Sequence, residues 1–287
     1  MLTLHPKELT VPALQNYLSH VIAPRPVAFV STIDKNGNVN LSPFSFFNLF
    51  STNPPILIFS PARGGKNNAV KNTHENVMDV PEAVINVVTY DMVQQTSLAS
   101  CAYPKGVNEF EKAGFTMLAA DKVKPPRVKE SPVQIECKVR EVIELGTIPG
   151  AGNLVICEIL LIHVSESVLN ENKFIDQHKL DLVGRLGANW YVRASHAALF
   201  EVAKPSTMGI GVDAIPEKIR NSRVLTGNNL GQLGNVDKLP GKEEVKIYKN
   251  QFLKNITGEK EIHSAAKKLL DEGKVEEGWK ALLSLED

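Results

Sequence analysis

Apolar and polar positions alternate most clearly in two long runs. In "VQIECKVREVIELG" (residues 133–146), Ile135, Cys137 and Val139 share one face, and Glu136, Lys138 and Arg140 share the other. A period of two is the signature of a half-buried strand. A second such run is "NLVICEILLIHVSES" (residues 153–167), and the joint "TIPGAG" is a turn on both Pro and Gly grounds. Upstream, "VAFVSTI" (residues 27–33) is rich in β-branched and aromatic residues. The turn signal "DKNG" and the alternating "NVNLS" follow, which together predict a β-hairpin. "ILIFS" (residues 56–60) and "AVINVVTY" (residues 83–90) add two more strands.

Helical patterns interrupt this series. Residues 66–77 predict a short polar helix with Ala69, Val70, Thr73 and Val77 along one side. Residues 91–102 predict another, with Asp91 as its N-cap, and residues 108–115 a third, stopped by Gly114. The strands are of the antiparallel, alternating kind, not the unbroken apolar strands of a doubly wound parallel sheet. The expected fold is therefore mainly β, a β-barrel with helical insertions. After Lys204 the composition turns to Gly, Asn and Pro, which predicts an extended, loop-rich arm. The last 27 residues predict two helices parted by Asp271-Glu272-Gly273. The expected division is a barrel domain over residues 1–203 and a C-terminal extension over residues 204–287.

Composition narrows the chemistry. Lys+Arg and Asp+Glu balance at 32 each in 287 residues, so bulk charge steers the chain neither to nucleic acid nor to an anionic membrane. Cys101, Cys137 and Cys157 are odd in number and form no C-x-x-C pair, which points away from a disulfide framework and towards a reducing cytoplasm. No basic segment leads into an apolar run at the N-terminus, and the greasiest stretch, residues 154–164, is too short to span a bilayer. No two of the seven histidines stand at metal-ligand spacing, so no metal is expected. Gly209-Ile210-Gly211-Val212-Asp213-Ala214 matches G-x-G-x-x-A, but a dinucleotide fingerprint needs a strand before it and a helix starting inside it. "VAKPSTM" is a poor strand and Pro216 follows at once, so a covering loop is the better reading.

One distributed signal remains. "NLSPFSFFN" (residues 40–48) sets Phe44, Phe46 and Phe47 among serines and asparagines in what should be a connection. "SPARGGKNNAVKNT" (residues 60–73) supplies Ser60, Arg63, Lys66, Lys71 and Thr73 around a helix start. A flavin mononucleotide needs apolar walls and main-chain partners for its ring, and hydroxyls, cations and a helix N-terminus for its phosphate. The plainer reading is a core-plugging aromatic cluster beside a solvated helix.

The sequence as a whole resembles the flavin reductase-like family of FMN-binding split barrels, to which flavoredoxins and flavin or ferric reductases belong. The resemblance is carried by "APRPVAFVSTIDKNGNVNLSPFSFFN", "PPILIFS", "KNTHEN", "YPKGVNEFEKAGF", "KPPRVKESPVQIEC" and "LVGRLGANWYVR", in order over most of residues 10–200. It implies a split barrel with non-covalent FMN, and usually a homodimer with FMN near the subunit interface. It implies electrons commonly taken from NADH or NADPH and passed to a flavin, a ferric complex or a protein. Alternatives are an FMN electron carrier without nicotinamide turnover, and a non-enzymatic flavin-binding module.

Carried over by position, Ser31 and Thr32 are the hydroxyls closing the first core strand. Ser45, Phe46, Phe47 and Asn48 match the segment along the flavin, and Ser60 and Arg63 begin the phosphate-side loop. Lys71, Asn72 and Thr73 match the family's Lys-Asp-Thr motif, with Asn72 replacing its Asp. Ser97 and Ser100 are weaker candidates, and Arg185 reaches either the ring region or the partner subunit. No acid or base residue is named, because the cofactor supplies the chemistry.

Overall fold

The computed structural model describes every residue except Lys66, Ser206, Thr207, Asn255, Thr257, Glu286 and Asp287. It divides into two compact units, Met1–Phe200 and Glu201–Asp287.

The first unit opens with helix α1 (Val11–Val21), which no pattern of buried positions had announced: it buries none of its residues. Strands β1 (Ala28–Ile33), β2 (Val39–Phe44), β3 (Phe47–Thr52) and β4 (Pro55–Phe59) follow, then helix α2 (Asn72–Asp79) and strand β5 (Glu82–Val87). Helices α3 (Val93–Leu98) and α4 (Glu109–Ala113) precede a two-residue ladder, β6 (Met117–Leu118) with β7 (Arg127–Val128). The long strands β8 (Val133–Glu144) and β9 (Asn153–Val164) come next, then helix α5 (Gln177–Leu180) and the hairpin β10 (Leu182–Arg185) with β11 (Tyr191–Ala194).

Seven strands form one antiparallel sheet in the order β2-β1-β5-β8-β9-β4-β3. Its two edge strands, β2 and β3, follow one another in sequence. Only Ser45 and Phe46 separate them, so the sheet must curl until its edges meet at that corner. Phe44 on β2 and Phe59 on β4 confirm the approach, with ring centroids 5.5 Å apart. The main chain seals it where Ser60 N–H donates to Phe46 C=O at 2.8 Å. The mainly β barrel with helical insertions is therefore the observed architecture.

The barrel interior is Ala28, Val30, Phe59, Ile85, Cys137 and Cys157 with their neighbours. Phe29 and Leu41 point the other way, against Met92, Phe110 and Phe115 beneath α3 and α4. Strand β1 is thus covered on both faces, which explains why "AFVSTI" reads as a run and not as an alternation. Polar pins hold the outer layer. Buried Glu136 accepts the Asp121 and Lys122 N–H groups at 2.9 and 2.5 Å and meets His163 Nε2 at 2.6 Å. Burial pushes its pKa up, but these hydrogen bonds outweigh it and hold the carboxyl below its ordinary value.

Two helices differ from their predicted spans. Residues 67–71 do not join α2, because Asn68 sits at φ +54 and turns the chain back, with its N–H bonded to Gly64 C=O at 2.9 Å. Asp91 lies inside a 3-10 turn, Tyr90–Met92, and α3 begins after it without a side-chain cap. The third helix matches its signals: Asn108 accepts from Phe110 N–H at 3.0 Å, and Gly114 takes the left-handed conformation at φ +72.

The second unit is not the loop-rich arm its composition predicts. It holds α6 (Glu217–Arg220), α7 (Gly227–Gly234), α8 (Lys242–Phe252) and the expected hairpin, α9 (Glu259–Asp271) with α10 (Val275–Leu283). Helix α7 is Gly- and Asn-rich yet forms, since Thr226 and Asn229 cap each other and Leu233 is fully buried. Tertiary packing outweighs weak propensity here. The core gathers Ile215, Ile219, Leu233, Leu270 and Trp279, whose indole N–H donates to Leu233 C=O at 3.0 Å. Among the described residues, no strand directly precedes Gly209 and no helix starts between it and Glu217, so the G-x-G-x-x-A match is no dinucleotide fingerprint. Those glycines serve a close backbone crossing: a Cβ on Gly209 would stand 2.5 Å from Gly234 O.

His263 is buried in this unit. The Ser222 hydroxyl accepts the Val224 and Leu225 N–H groups at 3.1 and 3.2 Å, so its proton goes to His263 Nδ1 at 2.7 Å. Nε2 then carries the ring proton, buried without an acceptor among the described residues. Burial depresses the His263 pKa, with Glu259 opposing weakly. The unfolded state therefore binds the proton first. The unit should keep its full stability above about pH 6.5 and lose it progressively as pH falls below that value. Thermal melts followed by Trp279 fluorescence should show this slope between pH 7.5 and 5.5, and His263→Gln should flatten it.

Candidate functional site

The corner that closes the barrel is also the floor of a large cleft. A cleft of about 860 Å³ opens there, bounded by Ser42–Phe46, the loop from Ser60 to Gly65, and α1. That volume lies in the range of small-molecule and cofactor sites, about 300–1,000 Å³. Leu14, Leu18 and Ile22 of α1 face it from one side, Phe44 and Phe46 from another. Helix α1 is seated on small residues: a Cβ on Gly150 would come 2.9 Å from Val11, and one on Gly187 would strike the His20 ring.

Arg25 is the hub of the inner end. It is only 9% exposed. Its guanidinium donates to Ser19 O at 2.7 Å, Ile22 O at 2.5 Å and Leu186 O at 3.0 Å, and reaches Ser45 Oγ at 3.4 Å. Its charge also lies 6.0 Å above the Phe46 ring. One side chain thus ties together the end of α1, the barrel corner and the β10–β11 hairpin. Burial, and then the nearby Arg185 charge, hold its pKa below the ordinary arginine value.

The outer end is built for an anion. Asn153 N–H donates to Ser60 Oγ at 3.1 Å and Asn153 Nδ2 donates to Pro61 O at 2.8 Å, which fixes the loop's entry. Arg63 is steadied by Asn68, with Nε to Oδ1 at 2.9 Å. Lys71 stands at the N-cap position of α2, with no side-chain cap on the helix's first N–H groups. Arg25, Arg63, Lys71 and Arg185 all line the cleft, and no carboxylate does among the described residues. Four uncompensated cations around one cavity make a field that favours an anionic ligand.

The residues singled out from sequence separate into two groups. Ser45, Phe46, Ser60, Arg63, Lys71 and Ser100 line the cleft. Ser97 lines an adjoining chamber, which Ser45 and Ser100 share. The others stand elsewhere. Ser31 donates to Pro126 C=O, Thr32 accepts from Asn76 Nδ2 at 3.1 Å, and Thr73 accepts from Asn40 Nδ2 at 2.9 Å, all three fully or almost fully buried. Phe47 packs on the barrel core. Asn48 accepts its neighbour Leu49 N–H at 2.8 Å, and Asn72 lies on the first turn of α2 outside the cleft lining. Lys66 lies outside the described residues. The sequence reading had passed over Arg25 and the whole of α1. "APRP" carries Arg25 in plain view, but nothing local says that an arginine between prolines will be buried.

The adjoining chamber, about 540 Å³, lies between Tyr90, α3 and the β10–β11 hairpin. Arg193 stacks 3.8 Å above Tyr90 and is held by Asp181 through two bonds of 2.7 and 2.8 Å. Its hydrogen bonds keep the Asp181 carboxyl below its ordinary range. Arg185 lies 4.6 Å above Tyr191 and belongs to both cavities.

A split antiparallel barrel with a cationic, partly apolar cleft at its seam defines the class: a flavin-related oxidoreductase fold. Residues 20–181 match the family described as "Flavin reductase like domain", and the chain belongs to that family. It is 37% identical over 188 residues to an uncharacterized protein of Aquifex aeolicus, covering 66% of this chain and 93% of that one. Among solved structures it is similar to nitrilotriacetate monooxygenase component B from Bacillus cereus, at 29% identity and a TM-score of 0.65, covering 70% of this chain and 98% of that one. A flavoredoxin of Desulfovibrio vulgaris (Miyazaki F) shares the fold, at 22% identity and a TM-score of 0.54 over 64% of this chain and 92% of that one. The family match ends before the second, helical unit begins. No described helix is long and apolar enough to cross a membrane.

Because Arg25 satisfies three carbonyl groups at once, Arg25→Ala should destabilise the barrel unit by about 2–4 kcal/mol, with the orphaned acceptors adding to the lost charged hydrogen bonds. Hydrogen exchange at the amides of β1, β2 and β10 should report it as lost protection.

Proposed function

We propose that this chain is an FMN-dependent oxidoreductase of the flavin reductase type, taking electrons from NADH or NADPH and passing them to a flavin, a ferric complex or a protein. The observation that carries this reading is the cleft itself: an apolar inner part beside the barrel corner, and an outer part with Arg63, Lys71 and an uncapped helix start. These residues fit FMN in kind. Phe44, Phe46 and Leu18 would wall its ring. Arg63, Lys71 and the loop from Ser60 would hold its phosphate, without any bond to the chain. Bound there, FMN would supply the hydride and electron chemistry. The protein's part is to orient it, to keep water from its apolar face, and to neutralise its phosphate.

The same reading extends to a homodimer. Val21 and Ile22 at the end of α1, and Leu49 and Phe50 on the edge strand β3, are each more than half exposed. Exposed apolar residues of this kind suit a contact with a second copy.

Purified protein should be yellow or become so with added FMN, and NADH or NADPH should bleach it under anaerobic conditions. Protein that binds no FMN would overturn the proposal. The phosphate assignment has its own test. Arg63→Ala with Lys71→Ala should weaken FMN by at least tenfold while changing riboflavin affinity little. Thr73→Val should leave that ratio unchanged, because the Thr73 hydroxyl is committed to Asn40.

A further inference from the structure

The chamber beside the cleft has a composition that the flavin reading leaves unused. Two tyrosines, Tyr90 and Tyr191, border it, and each carries an arginine on its ring. The two arginines differ in state. Arg193 is neutralised by a two-pronged pair with Asp181. Arg185 makes hydrogen bonds only to main-chain oxygens, those of Ala188 and Trp190, and no carboxylate lies within ion-pair distance among the described residues. It stands instead close enough to Arg25 for the two charges to oppose each other. Like charges with no counter-ion near a cavity are a cost to the folded chain that a bound anion would remove. Arg185 lines both cavities, as do Ser45 and Ser100, so it marks the passage between them.

We propose that this chamber is a binding subsite beside the cleft, and that it takes a planar monoanion, an aromatic ring bearing one carboxylate. The ring would lie among the tyrosine and arginine faces, and the carboxylate would meet Arg185, whose remaining N–H groups suit a forked acceptor. A single charge follows from the count: the chamber offers one guanidinium not already neutralised. A dinucleotide, with its several phosphate charges, matches this chamber poorly. Arg185 acts here as a specificity-determining residue that sets charge and position. The chamber borders the proposed flavin cleft but can be tested without flavin.

Trp190 stands between the lining residues Asn189 and Tyr191 and is 70% exposed, so its fluorescence reports on the chamber whether or not flavin is bound. The full-length protein, loaded with FMN where it binds, is titrated with benzoate, with neutral benzamide, and with AMP and NADH. Benzoate should bind at least tenfold more tightly than benzamide. Arg185→Gln should remove that preference, and Arg185→Lys should restore part of it. Gln94→Glu places a carboxylate on the chamber wall from an exposed helix position, and should also abolish benzoate binding without disturbing the fold. Equal binding of benzoate and benzamide would overturn the proposal. So would quenching by AMP or NADH alone, or an Arg185→Gln effect that falls chiefly on FMN. Failure of FMN to bind, with the benzoate preference intact, would refute the flavin reading and leave the chamber standing.

Discussion

One buried guanidinium holds the site together. Arg25 leaves water to serve carbonyl oxygens from α1 and from the β10–β11 hairpin, and touches the barrel corner at Ser45. Burying an arginine is costly unless its donors are met, and here they are met mostly by main-chain oxygens. The result is a junction with a retained positive charge. The same group that pins three segments therefore lends its field to the cleft they enclose. Stability and ligand preference are coupled at this point, because among the described residues no carboxylate cancels the charge that closes the structure.

The topology makes the site a consequence of closure. Seven strands in one antiparallel sheet bring β2 and β3 to opposite ends of the order, while the sequence allows only two residues between them. The seam must then pass through Ser45 and Phe46. Three phenylalanines in that short stretch are no longer anomalous. Phe44 closes against Phe59 and borders the cleft, Phe47 packs on the core, and Phe46 faces the cleft. A segment that looked like a loop is the place where the barrel shuts, and its apolar residues divide between the two sides of the seam.

The second unit follows different physics. Its core joins close backbone crossings at Gly209 and Gly234 with buried Trp279 and the Ala and Leu residues of α9 and α10. Gly and Asn there serve packing and capping, where composition alone suggests an arm without a core. His263 is buried in it against Ser222, and that burial favours the uncharged ring.

Six of the seven strands of the large sheet are legible in the sequence, with most of their faces, because a period of two survives in any environment that buries one side of a sheet. The seventh, β3, reads as a connection. Ser60, Arg63 and Lys71 stand out as a local cluster of hydroxyl and cations, while Ser45, Phe46 and Ser100 enter through the family resemblance; all six line the cleft. What only the tertiary structure decided is which hydroxyls are spent. Ser31, Thr32 and Thr73 are satisfied by Pro126, Asn76 and Asn40, partners from 33 to 95 residues away. Helix α1 and Arg25 belong to the same class. Helix α1 repeats Val11, Leu14, Leu18 and Val21 at helical spacing yet buries none of them, and an arginine shows its burial only once carbonyl groups 3, 6 and 161 residues away have come to meet it.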